Sequence, residues 1–384
     1  MEKRFKAFNL IRDMKIGIHG FGHVGRKLAD QIIESENPNH VEYVITSLSD
    51  RSGVIRKKDG FSKKELKELM SFKKEGKKLK DYEGEGVEYL ERIEDSFDDI
   101  NVLVDATSAK TYETQMNALK KNKDVVSANK IPFADSDYED FKKLINTANE
   151  RGRIIDYRVI VSANLGVPTK VEEFRESARG IKRVVGCLSG TMKYISGRIN
   201  KGVPLSVALK EAKDNFYTEP NPRDDLSGKD AERKAITIAR TAGINIKEEE
   251  IKVEKIVPDE LMDVSVEEFM KGISIIDEKF AQRVKEAKNK NCKLEYVAHL
   301  DFEKKEYKIG FEEIPKDDNI SNSKGTDNAV TIYPESWEGK QWFVCGPGAG
   351  LRETSQGLLA GLDDVRKADE RFQKRLKHRT YNYD

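Results

Sequence analysis

At 384 residues the chain is long enough for two or three domains, each with a sizeable core. Its 69 basic and 68 acidic side chains leave a net charge of +1 and are well mixed, which excludes a global field for nucleic acid or an anionic membrane. No apolar run reaches the roughly eighteen residues of a membrane span, and Cys187, Cys292 and Cys345 lie too far apart for a metal spacing or a disulfide framework, which fits a reducing compartment.

Residues 1–13 read as a short polar extension without the apolar core of a signal peptide, so the protein is expected in the cytoplasm. Met14 to His19 is a buried-strand candidate, and Gly20-Phe21-Gly22-His23-Val24-Gly25 then opens an amphipathic helix to about Ser35. Strand, Gly-x-Gly-x-x-Gly, helix is the context in which glycines allow a tight turn and close approach of a pyrophosphate to a helix N-terminus. These six residues are the candidate cofactor turn, the side chains of His19 and His23 reading as packing and turn groups. A second strand, Val41 to Leu48, leads to Asp50 and Arg51, where the adenosine ribose is read. Asp50 would accept from the 2′-hydroxyl of NAD, whereas Arg51, helped by Lys57 or Lys58, would accommodate the 2′-phosphate of NADP. Both cofactors are expected to bind, with a lean toward NADP(H).

Phe61 to Lys80 is Lys-rich and reads as a helix with a solvated face. Val102 to Ser108 is a third strand ending in small polar residues, and Asp124 to Lys130 a further one. Lys130 closes its strand at the edge where a crevice is expected, which makes it a functional candidate. Strands alternating with helices predict a right-handed, mostly parallel, doubly wound sheet. Ile154 to Lys170 holds another strand and the turn Ser162-Ala-Asn-Leu-Gly-Val-Pro168.

Ile181 to Leu188 reads as a strand, with helices following from Met192 and from Pro204 to Asn215. Next comes Tyr217 to Lys234, a loop stiffened by Pro220 and Pro222 that passes into a helix expected to be capped by Asp225 or Ser227. Ala231, Ala235, Ile238, Ala239 and Ala242 form one apolar stripe, Gly243 ends it, and Asp230 and Lys234 share a face. A carboxylate and an ammonium beside a stiff acidic loop can bind and protonate a small zwitterion; the same spacing also suits a surface ion pair. Ile251 to Val257, Lys293 to Leu300 and Tyr307 to Phe311 read as strands, Pro315 to Ser323 as polar loop, and Gly325 to Asn328 as a turn before a strand at Ala329 to Tyr333. Trp342 to Cys345 precedes the glycine-rich turn Gly346-Pro-Gly348-Ala-Gly350 and a helix to about Lys377. No internal repeat is present.

Glu219 to Lys234 resembles the signature of homoserine dehydrogenases, Glu-Pro-Asp-Pro-x-x-Asp-x-x-Gly-x-Asp-x-x-x-Lys, with Asn221 in place of the usual Asp. Leu188 to Ile195 resembles the family's Ser-Gly-Thr-x-x-Tyr-Ile, and the resemblance runs from about Lys15 to about Ala368. It implies an α/β fold, a Rossmann-type doubly wound parallel sheet plus an α+β substrate-binding and dimerisation domain. The expected boundaries are 1–155, completed by 346–384, and 156–345. It implies reversible reduction of L-aspartate 4-semialdehyde to L-homoserine by NADH or NADPH, on the way to threonine, methionine and isoleucine, by a homodimer. Lys234 would carry the proton, with Asp230 and Lys130 fixing the oxygen's surroundings. Glu219, Asp225, Thr191 and Tyr194 would hold the amino-acid end. Thr107 and Ser108, from the family's Asp-x-Thr, together with Lys130, Gly348 and Gly350, would line the nicotinamide pocket.

The family's inter-domain turn often holds a monovalent cation, sodium or potassium, on backbone carbonyls, here those of Ile160, Ala163, Leu165 and Val167. Ile160 stands where a Glu is usual, and Ala163, Asn164 and Leu165 replace Val-Gly-x. The resemblance further implies the form lacking an aspartate-kinase half and a C-terminal regulatory ACT domain. The alternatives are an NAD(P)-dependent dehydrogenase of another small amino or hydroxy acid, since fold does not fix function, or a non-catalytic dinucleotide-binding sensor. Retention of Glu219, Lys130 and Lys234 counts against both.

Overall fold

The computed structural model describes residues 13–35 and 43–380, with side chains to 369. The polar extension expected at 1–13, apart from Asp13, lies outside the described residues, as do the first two positions of the strand expected from Val41. The chain divides into two compact units, residues 1–160 with 351–384, and residues 161–350. Among the described residues no helix is long and apolar enough to cross a membrane.

The first unit is built on β1 (Met14–His19), β2 (Tyr43–Asp50), β3 (Gly53–Arg56), β4 (Glu88–Leu90), β5 (Val102–Asp105), β6 (Asp124–Ser127) and β7 (Ile155–Asp156), in the spatial order β4-β3-β2-β1-β5-β6-β7. The five strands from β2 to β7 are parallel, whereas β3 and β4 extend the edge antiparallel. The parallel strands are near-continuous apolar runs because helices cover both faces. Strand order reverses about β1, so a crevice opens at the carboxyl ends of β1 and β5, where a doubly wound sheet binds its ligand. Helix Leu351–Thr380 packs on helix His23–Glu34, placing Leu358, Leu362 and Val365 in one core with Leu28, Ile32, Ile16 and Val104. The helix expected over 61–80 spans only Lys63–Lys74, opened by a capping box in which Ser62 and Glu65 satisfy each other's amides.

The second unit carries β8 (Ile181–Cys187), β9 (Ile251–Val253), β10 (Cys292–Asp301), β11 (Glu306–Pro315), β12 (Asp327–Pro334) and β13 (Trp342–Pro347), in the order β13-β12-β8-β10-β11-β9. All pairs are antiparallel except β11 with β9. Helices Gly190–Ile199, Lys229–Thr241 and Asp277–Asn289 all pack on β10. A buried ion pair pins the first of these to the sheet: Lys193 Nζ donates to Glu295 Oε2 at 2.8 Å and to the Ile320 carbonyl at 3.1 Å, with both side chains 2% exposed.

Three local expectations are corrected. Pro222 does not lie in the expected loop but starts a short helix, Pro222–Leu226, because its fixed φ suits the first helical position; Asn221 is the cap. The following helix, Lys229–Thr241, has neither Asp225 nor Ser227 at its N-cap position but Gly228, in the left-handed region at φ 74°, although Ser227 Oγ accepts from Lys229 N at 3.2 Å. The polar stretch 315–323 contains the short helix Asn319–Asn322, capped by Asp318, whose carboxylate accepts from Ile320 N at 2.7 Å.

Candidate active site

In the first unit the glycine turn follows β1. Gly20 has φ 97°, and a Cβ there would meet Ala106 backbone atoms at 2.9 Å. A Cβ on Gly25 would stand 2.4 Å from the Gly20 carbonyl oxygen, so the turn closes only with hydrogen at both positions. The amides of Gly20 and Phe21 donate to the Ser49 carbonyl at 3.2 and 2.6 Å, and the Phe21 ring is fully buried. Phe21 is thus spent on the protein, amide and ring together. Gly22, the N-cap, faces open space and carries no side-chain cap, and the first turn holds no acidic residue. The amides of His23, Val24 and Gly25 are the unsatisfied donors of this terminus, which suits a pyrophosphate. Burial pushes the His19 imidazole below its ordinary range, against the pull of Asp105, and its Nδ1 lies 2.7 Å from Ser49 Oγ.

A cleft of about 280 Å³ adjoins the end of β2, lined by His19, Ser49, Asp50, Arg51, Ser52 and Arg92 among others. Asp50 does not present a free carboxylate to it. Oδ1 accepts from Ser52 N and Ser52 Oγ at 2.7 and 2.5 Å, and Oδ2 accepts from Lys73 Nζ and from Leu79 N at 3.1 Å. Burial raises its pKa, but these donors, Lys73 foremost, outweigh burial and hold it below the usual carboxylate range. Arg51 is exposed. Lys57 is turned to Glu65 at 2.6 Å.

At the end of β5 the buried Asp105 organises the floor. It accepts from Thr107 N at 3.0 Å, Thr107 Oγ1 at 2.7 Å, Gln115 Nε2 at 2.8 Å, and from Thr111 and Asn129. Asn129 Nδ2 also reaches Thr107 Oγ1 at 3.1 Å, while its Oδ1 accepts from Ile131 N at 3.1 Å. This network fixes the loops bearing Thr107, Ser108 and Lys130. Ser108 is exposed and Lys130 half-buried at the start of helix Ile131–Ala134.

In the second unit Lys234 lies on the nearly wholly buried helix Lys229–Thr241 and is 7% exposed. Its Nζ donates to the Leu188 carbonyl at 2.5 Å and stands 2.8 Å from Asp230 Oδ2, whose side chain is 51% exposed. The Leu188 oxygen also accepts from Asn328 Nδ2 at 3.3 Å, and that amide reaches Ser162 Oγ at 2.9 Å. A Cβ on Gly348 would fall 2.0 Å from Asn328 Cγ, so the glycine-rich turn is built to admit Asn328. Gly350, at φ 128°, ends the unit.

The loop before this helix gathers the expected substrate residues. Glu219 N donates to Asp225 Oδ2 at 2.8 Å, and the Glu219 carboxylate is exposed. Burial pushes the Asp225 carboxyl up, against the Glu219 amide and Thr191. Thr191 Oγ1 donates to the Tyr217 carbonyl at 2.6 Å. Tyr194 meets the loop only through its ring, 5.1 Å from that of Tyr217; its hydroxyl goes to Glu211 Oε2 at 3.3 Å. Among the expected substrate contacts, then, the hydroxyls of Thr191 and Tyr194 both have protein partners.

Of the residues expected to hold a cation, Val167 opens helix Val167–Ser177, where its carbonyl is taken by the helix ladder. Ala163 and Leu165 belong to a short turn in which Ser162 and Ala163 have φ 59° and 47°. No chemistry is assigned to a cation. Sequence reasoning missed two residues: Lys73, for which no local signal exists, and Asn328, visible only as part of a Gly-x-x-Asn turn.

The family model for homoserine dehydrogenase matches residues 169–362, and that for the homoserine dehydrogenase NAD-binding domain matches residues 20–158. The homoserine dehydrogenase of Paracoccidioides brasiliensis is 32% identical over 275 residues, 69% of this chain and 74% of that protein. The bifunctional aspartokinase/homoserine dehydrogenase of Buchnera aphidicola is 28% identical over 349 residues, 89% of this chain but 42% of that protein, so the chain spans less than half of its length. A putative homoserine dehydrogenase from Archaeoglobus fulgidus shares the fold with a TM-score of 0.72 at 25% identity, covering 92% of this chain and 99% of that one. With the glycine turn on one unit and the Glu219–Lys234 signature folded around a buried lysine on the other, the chain belongs to the homoserine dehydrogenase family.

Proposed function

We propose that the chain catalyses the reversible NAD(P)H-dependent reduction of L-aspartate 4-semialdehyde to L-homoserine, in the biosynthesis of threonine, methionine and isoleucine. The observation that carries this is Lys234, an ammonium fixed to a main-chain oxygen on a buried helix. The bound reduced nicotinamide supplies the hydride. As the aldehyde carbon accepts it, the oxygen becomes an alkoxide and needs a proton, which Lys234 Nζ donates. Asp230 beside it favours the ammonium form before transfer. Glu219 accepts from the substrate's α-ammonium, and Asp225 sets the Glu219 backbone through its amide. Lys130 orients substrate or nicotinamide from its strand end. Positioning of this kind matters because hydride transfer tolerates little error in donor–acceptor geometry.

The test follows loss of reduced-nicotinamide absorbance with aspartate semialdehyde and each cofactor in turn. Absence of turnover with both refutes the proposal; a higher kcat/KM on another small aldehyde transfers it to a different dehydrogenase. The protein is further proposed to be a cytoplasmic homodimer. Its three free cysteines support a reducing compartment, and a monomer mass by light scattering at micromolar concentration would refute the dimer.

A further inference from the structure

The end of β2 decides which dinucleotide the first unit takes. An acid at this point ordinarily accepts from the ribose hydroxyls. Asp50 has no capacity to do so: a carboxylate offers about four lone-pair sites, and Ser52 N, Ser52 Oγ, Lys73 Nζ and Leu79 N fill them. Asp50 and Lys73 side chains are only 14% and 15% exposed, and Lys73 is held a second time by the Lys77 carbonyl at 2.8 Å. The lysine therefore cancels the acid's charge from a fixed position. Arg51, in contrast, has no protein partner among the described residues and lines the cleft, whereas Arg92, also in the lining, stands 3.6 Å from Asp95 Oδ1. The cleft's other carboxylates are Glu91 and Glu94, and Glu94 is turned to Thr114 Oγ1 at 2.6 Å.

We propose that Lys73 is a specificity-determining positioning residue: by pinning and neutralising Asp50 it leaves Arg51 as the unopposed charge at the end of β2, so that the chain selects a 2′-phosphorylated nicotinamide dinucleotide over one with a free 2′-hydroxyl. The inference rests on the dinucleotide site of the proposed function and is independent of its substrate. Released from Lys73, Asp50 repels a phosphate and offers lone pairs to a hydroxyl, so both effects move the preference the same way.

The experiment titrates NADPH and NADH fluorescence without substrate, on the full chain and its variants. The parent is expected to bind NADPH more tightly. Lys73→Met loses that preference by on the order of 10²-fold, the worth of one charged contact. Lys73→Arg retains it, and Asp50→Asn/Lys73→Met recovers it. A parent that prefers NADH, equal weakening of both cofactors in Lys73→Met, or no recovery in the double variant overturns the proposal. Should Lys73→Met fail to fold, Asp50→Asn decides: it uncovers the Lys73 charge, so tighter NADPH with NADH unchanged supports the proposal, and selective loss of NADH or equal change for both overturns it. A parent that binds neither dinucleotide defeats the cofactor site itself. Tight binding without turnover of aspartate semialdehyde defeats only the substrate assignment.

Discussion

Lys234→Met separates chemistry from stability. The methionine keeps an unbranched stem in the same buried position and deletes only the ammonium. The Leu188 oxygen loses its 2.5 Å donor but keeps Asn328 Nδ2 at 3.3 Å, and Asp230, half-exposed, regains water. One charged hydrogen bond is worth about 1.5–3 kcal/mol, and relief from burying an ammonium offsets part of that. The expected change in unfolding free energy is therefore within about 2 kcal/mol, read from urea midpoints. Turnover should fall by about 10²–10⁴, or roughly 3–5 kcal/mol of barrier, with cofactor dissociation constants nearly unchanged. Lys234→Arg keeps the charge but cannot lose a proton near neutral pH, so it should lose turnover similarly in both directions. If either variant stays within about tenfold of the parent, Lys234 is an electrostatic anchor and not the proton carrier.

Burial pushes Asp124 up to about 6, against the Ile154 amide and Arg153. With its folded pKa above the unfolded one, its contribution is fully present below the ordinary carboxylate value and lost as pH rises through about 6. That amounts to roughly 3 kcal/mol, and Asp124→Asn should flatten the corresponding fall in urea midpoint; an unchanged pH slope refutes it. Lys193→Met strands the buried Glu295 carboxylate and should cost about 3–5 kcal/mol, most of it recovered by also replacing Glu295 with Leu. A single-variant cost below about 1 kcal/mol in urea unfolding means Glu295 finds another partner. Gly25→Ala forces its Cβ against the Gly20 oxygen and should weaken NADH and NADPH alike, by about tenfold or more. Unchanged affinity for both would show that the turn can open without loss.

The glycine turn and the alanine stripe of helix Lys229–Thr241 were legible because both follow from local rules, backbone freedom in one case and helical spacing in the other. Strands β3 and β4 were not: four and three residues are too few to show alternation, and edge pairing is set by neighbours distant in sequence. The cap of the lysine helix was misassigned because Asp225 and Ser227 are good capping types. Pro222 instead ended the loop early, and the entry to the next helix fell to Gly228. Asp50 was legible as an acid at a strand end but not as a sequestered one. Its partner lies 23 residues on, brought close only when helix Lys63–Lys74 docks beside β2.

The acceptor that fixes Lys234 is a peptide oxygen, not a side chain. No substitution at position 188 can delete it, so drift there is tolerated provided the bulk still fits. The inheritable part of the anchor lies in the side chains around that oxygen, Lys234 with its partner Asp230, and Asn328, and in the glycine at 348 that leaves room for the last of them. A population of diverging copies can therefore reshape the end of β8 while keeping the ammonium in register, but loses the ammonium itself in one step at position 234.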